Sequence, residues 1–216
     1  MLRRFIGGEI GVGEALAWLI AVTVAITVHE FAHAKRAERA GDPTPRAMGR
    51  VTLNPLAHYD PLGSTLFLVF GFGWAKPVPV NPLAFRHPRR DGVMVALWGP
   101  LSNFITAAVM AMPIRFHLAG DHAMPLMVIV YANLLLGVFN LIPLGPLDGA
   151  HVLEGLLADR ARLRLYAFYG RYQRVMLIFL LLVLFVPAVN HYVFGIVLIP
   201  VYIMKSLLIG SGPGLW

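Results

Sequence analysis

The sequence predicts an all-α polytopic membrane protein: a bundle of about five to six transmembrane helices, with short membrane-associated β segments between the first and second full spans. Three observations carry this. Of 216 residues, 58% are hydrophobic and only 13% charged, with a mean hydropathy of +0.70, far from the balance of a soluble domain. Val93–Ile114 runs 22 positions without a charge, and Val175–Met204 is likewise uncharged. Basic residues cluster between such runs, which is the pattern that orients a membrane protein. The net charge of +7 is therefore assigned to loops facing anionic lipid and not to nucleic acid. Cysteine is absent, so a metal here would be held by His and carboxylate.

Taken in order, the first span is expected over about Glu14–Arg39. It does not read as a cleaved signal, because its apolar stretch ends in His29 and His33 and not in a small-residue cleavage site. Gly41–Pro61 is polar and proline-punctuated, with Arg50–Leu53 read as a short strand. Leu62–Phe72 is too short to cross a ~30 Å core as a helix and is read as re-entrant or interfacial. Gly73–Asn81, rich in proline, suits an edge strand. Val93–Ile114 is a clear span, as is much of Ala123–Leu147, whose last turns are crowded by Asn140, Pro143, Gly145, Pro146 and Gly149. Helix breakers at membrane depth are tolerated where the freed backbone lines a cavity. Val175–Met204, interrupted at Pro187–His191, is read as a C-terminal hairpin over 165–209, with one long kinked helix as the alternative. The chain is thus taken as a single domain of 1–216, with its core at 14–158.

The chemistry concentrates at His29-Glu30-Phe31-Ala32-His33. On a helix, positions i and i+4 share a face, so both imidazoles can reach one zinc ion. Glu30 projects beside them, where it can take a proton from an attacking water. Two His and a Glu are costly in hydrocarbon and usually mark function there. A hydrolytic zinc site wants three protein ligands and one open position. Asp148, aimed by the Pro/Gly-rich bend, is favoured as the third. Glu154 competes for the place but suits capping or pairing near the arginines, and His151 is a further substitute. The basic clusters Lys35–Arg50, Lys76–Arg90 and Arg160–Arg174 put these groups towards the cytoplasm. Arg3 and Arg4 fall on the opposite side in that scheme.

His29–His33, then Gly99-Pro100-Leu101-Ser102-Asn103, then Asn140-Leu-Ile-Pro-Leu-Gly-Pro-Leu-Asp148-Gly149 resemble the site-2 protease family of intramembrane zinc metalloproteases. The linking pieces NPLAHYDPLG and GWAKPVPVNP resemble those of its compact prokaryotic branch. The resemblance implies one Zn2+ held by His29, His33 and Asp148, with Glu30 as general base. Asn140 would touch the substrate backbone or help hold the developing oxyanion. Asn103 is more simply a buried amide satisfying its helix. Members often carry a helix before the metal-bearing one, and many have PDZ or CBS domains; no segment here is long enough for those domains.

The expected activity is hydrolysis of peptide bonds in or near the transmembrane segments of membrane-anchored proteins, in a multi-pass protein of the plasma membrane with its site towards the cytoplasm. A strand near Arg50–Leu53 or Ala75–Val80 is expected to pair with the unwound substrate. A CaaX-type membrane peptidase would use Glu154 in place of Asp148. A metal transporter would not need Glu30 as a base.

Overall fold

A computed structural model describes residues 8, 11–70 and 73–210. The elements, in order, are α1 (Val12–Ala40), the short α2 (Thr44–Ala47), α3 (Pro61–Phe70), α4 (Pro88–Arg115), α5 (Ala123–Asn140), α6 (Asp148–Leu156), α7 (Asp159–Phe185) and α8 (Pro187–Ile209). Among the described residues, five helices are long and apolar enough to cross a membrane: α1, α4, α5 with its preceding turn, α7 and α8. The 10-residue α3 is not, as its length led us to expect. Two of its expected residues, 71 and 72, lie outside the described residues, as do Arg3 and Arg4.

The inner bundle is α1, α4 and α5, which all pack on one another. One stripe of α1 explains the packing. Ala17, Ala21, Ala25, His29, His33 and Ala37 recur every four residues and all are buried. Small side chains let helix backbones approach closely in a bilayer, where van der Waals packing replaces the hydrophobic drive. The same stripe therefore carries both histidines into the bundle centre. On α4 the matching stripe is Ala96, Gly99, Asn103, Ala107 and Ala111. On α5, Gly137 admits the ring of Phe104, which a Cβ would meet at 2.6 Å. Leu16, Leu19, Ile20, Ile105, Val109 and Met112 point outward, where lipid is the solvent. Gly41 ends α1 in the left-handed region (φ 111°), the helix stop that glycine provides without strain.

Past Asn140 the chain breaks over Leu141–Leu147 and restarts as α6, which packs beside the start of α4. The fit is close: a Cβ on Gly155 would fall 2.0 Å from Val93. Arg89 ties the far end of α6 by donating to the carbonyls of Gly155 and Leu157. α7 touches the break through Tyr169, whose hydroxyl donates to Pro143 O at 2.9 Å. α8 runs antiparallel to α5: Phe194 stacks on Phe139, while Arg115 reaches the Leu207 carbonyl. The Pro187 end of α8 thus lies on the Asn140 side of the bundle, and Ile209 lies at the other end, beside Ile114 and Ala119.

The expected β segments are corrected. Among the described residues there is no strand. Residues 73–81 form neither helix nor strand, and three of their backbone donors are committed elsewhere. Lys76 N–H goes to His58 O, Val78 N–H to Glu30, and Asn81 N–H to Asp42, while Pro77 and Pro79 have none to give. At the other site, Arg50 opens a bend and its buried side chain braces the loop instead.

Candidate metal centre

α1 delivers His29 and His33 one turn apart, and the N-terminus of α6 delivers Asp148. Their ligand atoms converge: the two Nε2 atoms lie 3.0 Å apart, and Asp148 Oδ2 is 3.1 Å from one and 3.3 Å from the other. Tetrahedral coordination with bonds of about 2.0 Å has edges of about 3.3 Å, so these spacings suit zinc.

The outward nitrogens settle whether the inward ones can bind. His33 Nδ1 lies 2.8 Å from the carbonyl oxygen of Val95, which can only accept, so the proton sits on Nδ1. His29 Nδ1 lies 2.7 Å from Asn103 Oδ1 and donates likewise. A neutral imidazole with its proton on Nδ1 turns a bare lone pair to the other side. Two lone pairs and a carboxylate oxygen therefore meet in a buried space, and Asp148 Oδ2 has no donor of its own. A bound cation satisfies all three at once. The backbone leaves room for it, since a Cβ on Gly99 would lie 2.3 Å from His33 Nε2 and 2.8 Å from His29 Cε1. The residues present fit zinc.

The group opens onto a cavity of about 600 Å³ whose lining includes Glu30, Val78, Val80, Asn140, Pro146 and Arg162. Glu30 Oε2 accepts the backbone N–H of Val78 at 3.1 Å, leaving the rest of the carboxylate to face the cavity. The segment leading into Val78 is braced by Arg50, whose guanidinium donates to Ala57 O at 2.6 Å and to Lys76 O. Burial works against the charge on Arg50 and the nearby Glu30 carboxylate supports it. Asn140 lines the cavity too, with its Nδ2 donating to Leu136 O at 3.0 Å. Glu154 stands outside the convergent group, and its carboxylate lies 3.8 Å from the exposed His151. Of the residues singled out in the sequence, the structure brings His29, His33 and Asp148 together, with Glu30 and Asn140 on the cavity wall beside them.

Four contributors were not legible as such: Gly99, Val78, Arg50 and the acceptor role of Asn103. Gly99 and Asn103 lay within a recognisable motif, but only the fold shows that both face the histidines.

Three convergent N/O donors, with a carboxylate beside them and a cavity leading in, form a donor set able to hold one metal ion beside helices long and apolar enough to cross a membrane. Residues 114–184 match peptidase family M50. The chain is 40% identical over 189 residues to YwhC of Bacillus subtilis, a protein provisionally named a zinc metalloprotease, covering 81% of this chain and 82% of YwhC. It is 30% identical over 218 residues to Rip2 of Mycobacterium tuberculosis, which carries the same provisional description, covering 88% and 82%. A shorter match, 32% over 86 residues, is to the zinc metalloprotease MJ0392 of Methanocaldococcus jannaschii and spans 38% of this chain and 25% of that one. No solved structure matches. The chain belongs to peptidase family M50, the site-2 protease family of intramembrane zinc metalloproteases.

Proposed function

We propose that His29, His33 and Asp148 hold the zinc of this metalloprotease, that Glu30 is its general base, and that Asn140 contacts the substrate backbone. The supporting observation is the convergence of two Nε2 lone pairs and Asp148 Oδ2, with both Nδ1 protons already committed elsewhere. Zinc, when bound, acts as a Lewis acid and lowers the pKa of a coordinated water to about 7.

The chain's residues do the rest. Glu30 stands within the same cavity as the ligands and takes the proton from the attacking water. Its Oε2 is fixed by Val78 N–H, so the free oxygen keeps one orientation. Once the tetrahedral carbon has formed, Glu30 returns the proton to the leaving amine nitrogen. Asn140, with its amide nitrogen turned into its own helix, presents its carbonyl oxygen to the cavity as a backbone acceptor. That orientation favours gripping a substrate N–H over holding an oxyanion. Val80, Phe85 and Val93 give the cavity an apolar side.

The substrate is a membrane-anchored protein whose transmembrane segment unwinds to enter. The protein lies in the plasma membrane with its site towards the cytoplasm; the basic clusters beside the Ala40 and Pro88 ends of the bundle support that orientation. The whole chain acts as one protease domain. The CaaX-type reading loses ground because Glu154 stands away from the ligand group. The test is zinc content after purification from detergent: His29→Ala and Asp148→Ala should each lose the metal while Glu154→Ala keeps it. Retention in Asp148→Ala with loss in Glu154→Ala would overturn the ligand assignment.

A further inference from the structure

Two asparagines in the apolar bundle form a directed chain that ends on His29. Asn133, on α5, is fully buried, and its Nδ2 donates to the backbone carbonyl of Ile129 at 2.9 Å. Its Oδ1 is thereby turned to Asn103, on α4, and accepts from Asn103 Nδ2 at 2.9 Å. Asn103 is also fully buried, and the same Nδ2 donates to the carbonyl of Ala25 on α1 at 2.9 Å. Both carbonyls can only accept, so neither amide can be turned over without setting two oxygens against each other. Asn103 Oδ1 is left with one direction, towards His29 Nδ1 at 2.7 Å.

We infer that Asn133 and Asn103 are positioning residues for the metal: a relay anchored on Ile129 O and Ala25 O that fixes His29 as the Nδ1-protonated tautomer and presents its Nε2. The inference rests on the reading of His29 as a zinc ligand. Each of the three inner helices contributes a member, so packing of the bundle and readiness of the ligand are one event. His33 needs no such relay, because a backbone carbonyl, Val95 O, does the same task directly. Outer partners of ligating histidines typically change metal affinity by 10–100-fold.

The experiment follows zinc release from purified holoenzyme into excess chelator, together with the melting temperature of each stripped protein. Asn103→Ala should release zinc at least about tenfold faster. Asn133→Leu, which removes the acceptor that orients Asn103, should release it several-fold faster. Asn133→Asp is the rescuing variant: buried and protonated, it keeps an acceptor for Asn103 and a donor for Ile129 O, and its release should match wild type. A merely structural role would lower the melting temperature in Asn103→Ala and Asn133→Leu and leave zinc release within twofold of wild type, which would overturn the relay. Equal release by Asn133→Asp and Asn133→Leu would overturn it too. Should the alanine variant not fold, nitrogen-15 histidine spectra of stripped wild type decide: His29 protonated on Nδ1 supports the relay, and on Nε2 contradicts it. Failure of the ligand reading itself is separate, and shows as His29→Ala retaining zinc.

Discussion

Gly99 lies against His33 so closely that one added methyl group would fall 2.3 Å from Nε2. The metal centre is thus built as much by what α4 lacks as by what α1 carries. A helix backbone passes the ligands at a distance that only glycine permits.

The expected consequence is specific. Gly99→Ala should purify with little zinc and lose at least about a hundredfold in cleavage rate, since misplacement of about 1 Å can cost that much. Gly170→Ala on α7, away from the cavity and where a Cβ meets nothing within 4 Å, should be neutral. Metal analysis beside a cleavage assay checks both.

Arg50 provides a second test that separates metal from base. Its guanidinium braces Ala57 O and Lys76 O, and the neighbouring Val78 N–H holds Glu30. Arg50→Met should keep zinc and lower kcat by about tenfold or more, because Glu30 loses its fixed orientation. Equal loss of zinc and activity would show that Arg50 acts on the fold as a whole.

Asp42 carries a pH dependence. Burial works against its charge, but the Thr44 hydroxyl and the N–H groups of Asn81 and Thr44 outweigh it and hold its carboxyl below the usual carboxylate range. The unfolded value is ~3.9. The stability Asp42 contributes is therefore complete above that value and lost as pH falls through the lower, folded one. Asp42→Asn should be less stable by about 1–3 kcal/mol near neutrality, and its deficit should shrink on acidification below about pH 4. Melting of the two proteins in detergent across pH reads the difference, in which metal loss common to both cancels.

Much of this was legible in the sequence because it is local. The i, i+4 spacing fixes His29 and His33 on one face whatever surrounds them, and the Pro/Gly bend before Asp148 aims that carboxylate inward; the helix restart at Asp148 was not read. The segment over 73–81 misled because Pro77-Val78-Pro79-Val80 alternates as an edge strand does. What decides its state is where its donors go, and Glu30 and Asp42 lie 48 and 39 residues away from the groups they bind. Asn103 was under-read for the same reason. Its partners Ala25, His29 and Asn133 sit on two other helices, and no periodicity within α4 reveals them. The run of α8 back along α5 is likewise a matter of packing between distant segments.

The most direct test of the account is cleavage of a single-span reporter protein by the purified enzyme in detergent, wild type beside Glu30→Gln, each with its zinc measured. The account predicts cleavage by wild type that a zinc chelator abolishes. Glu30→Gln should retain its zinc and show cleavage lower by about a hundredfold or more. Equal cleavage by the two proteins would contradict it, because Glu30 would then not be the base.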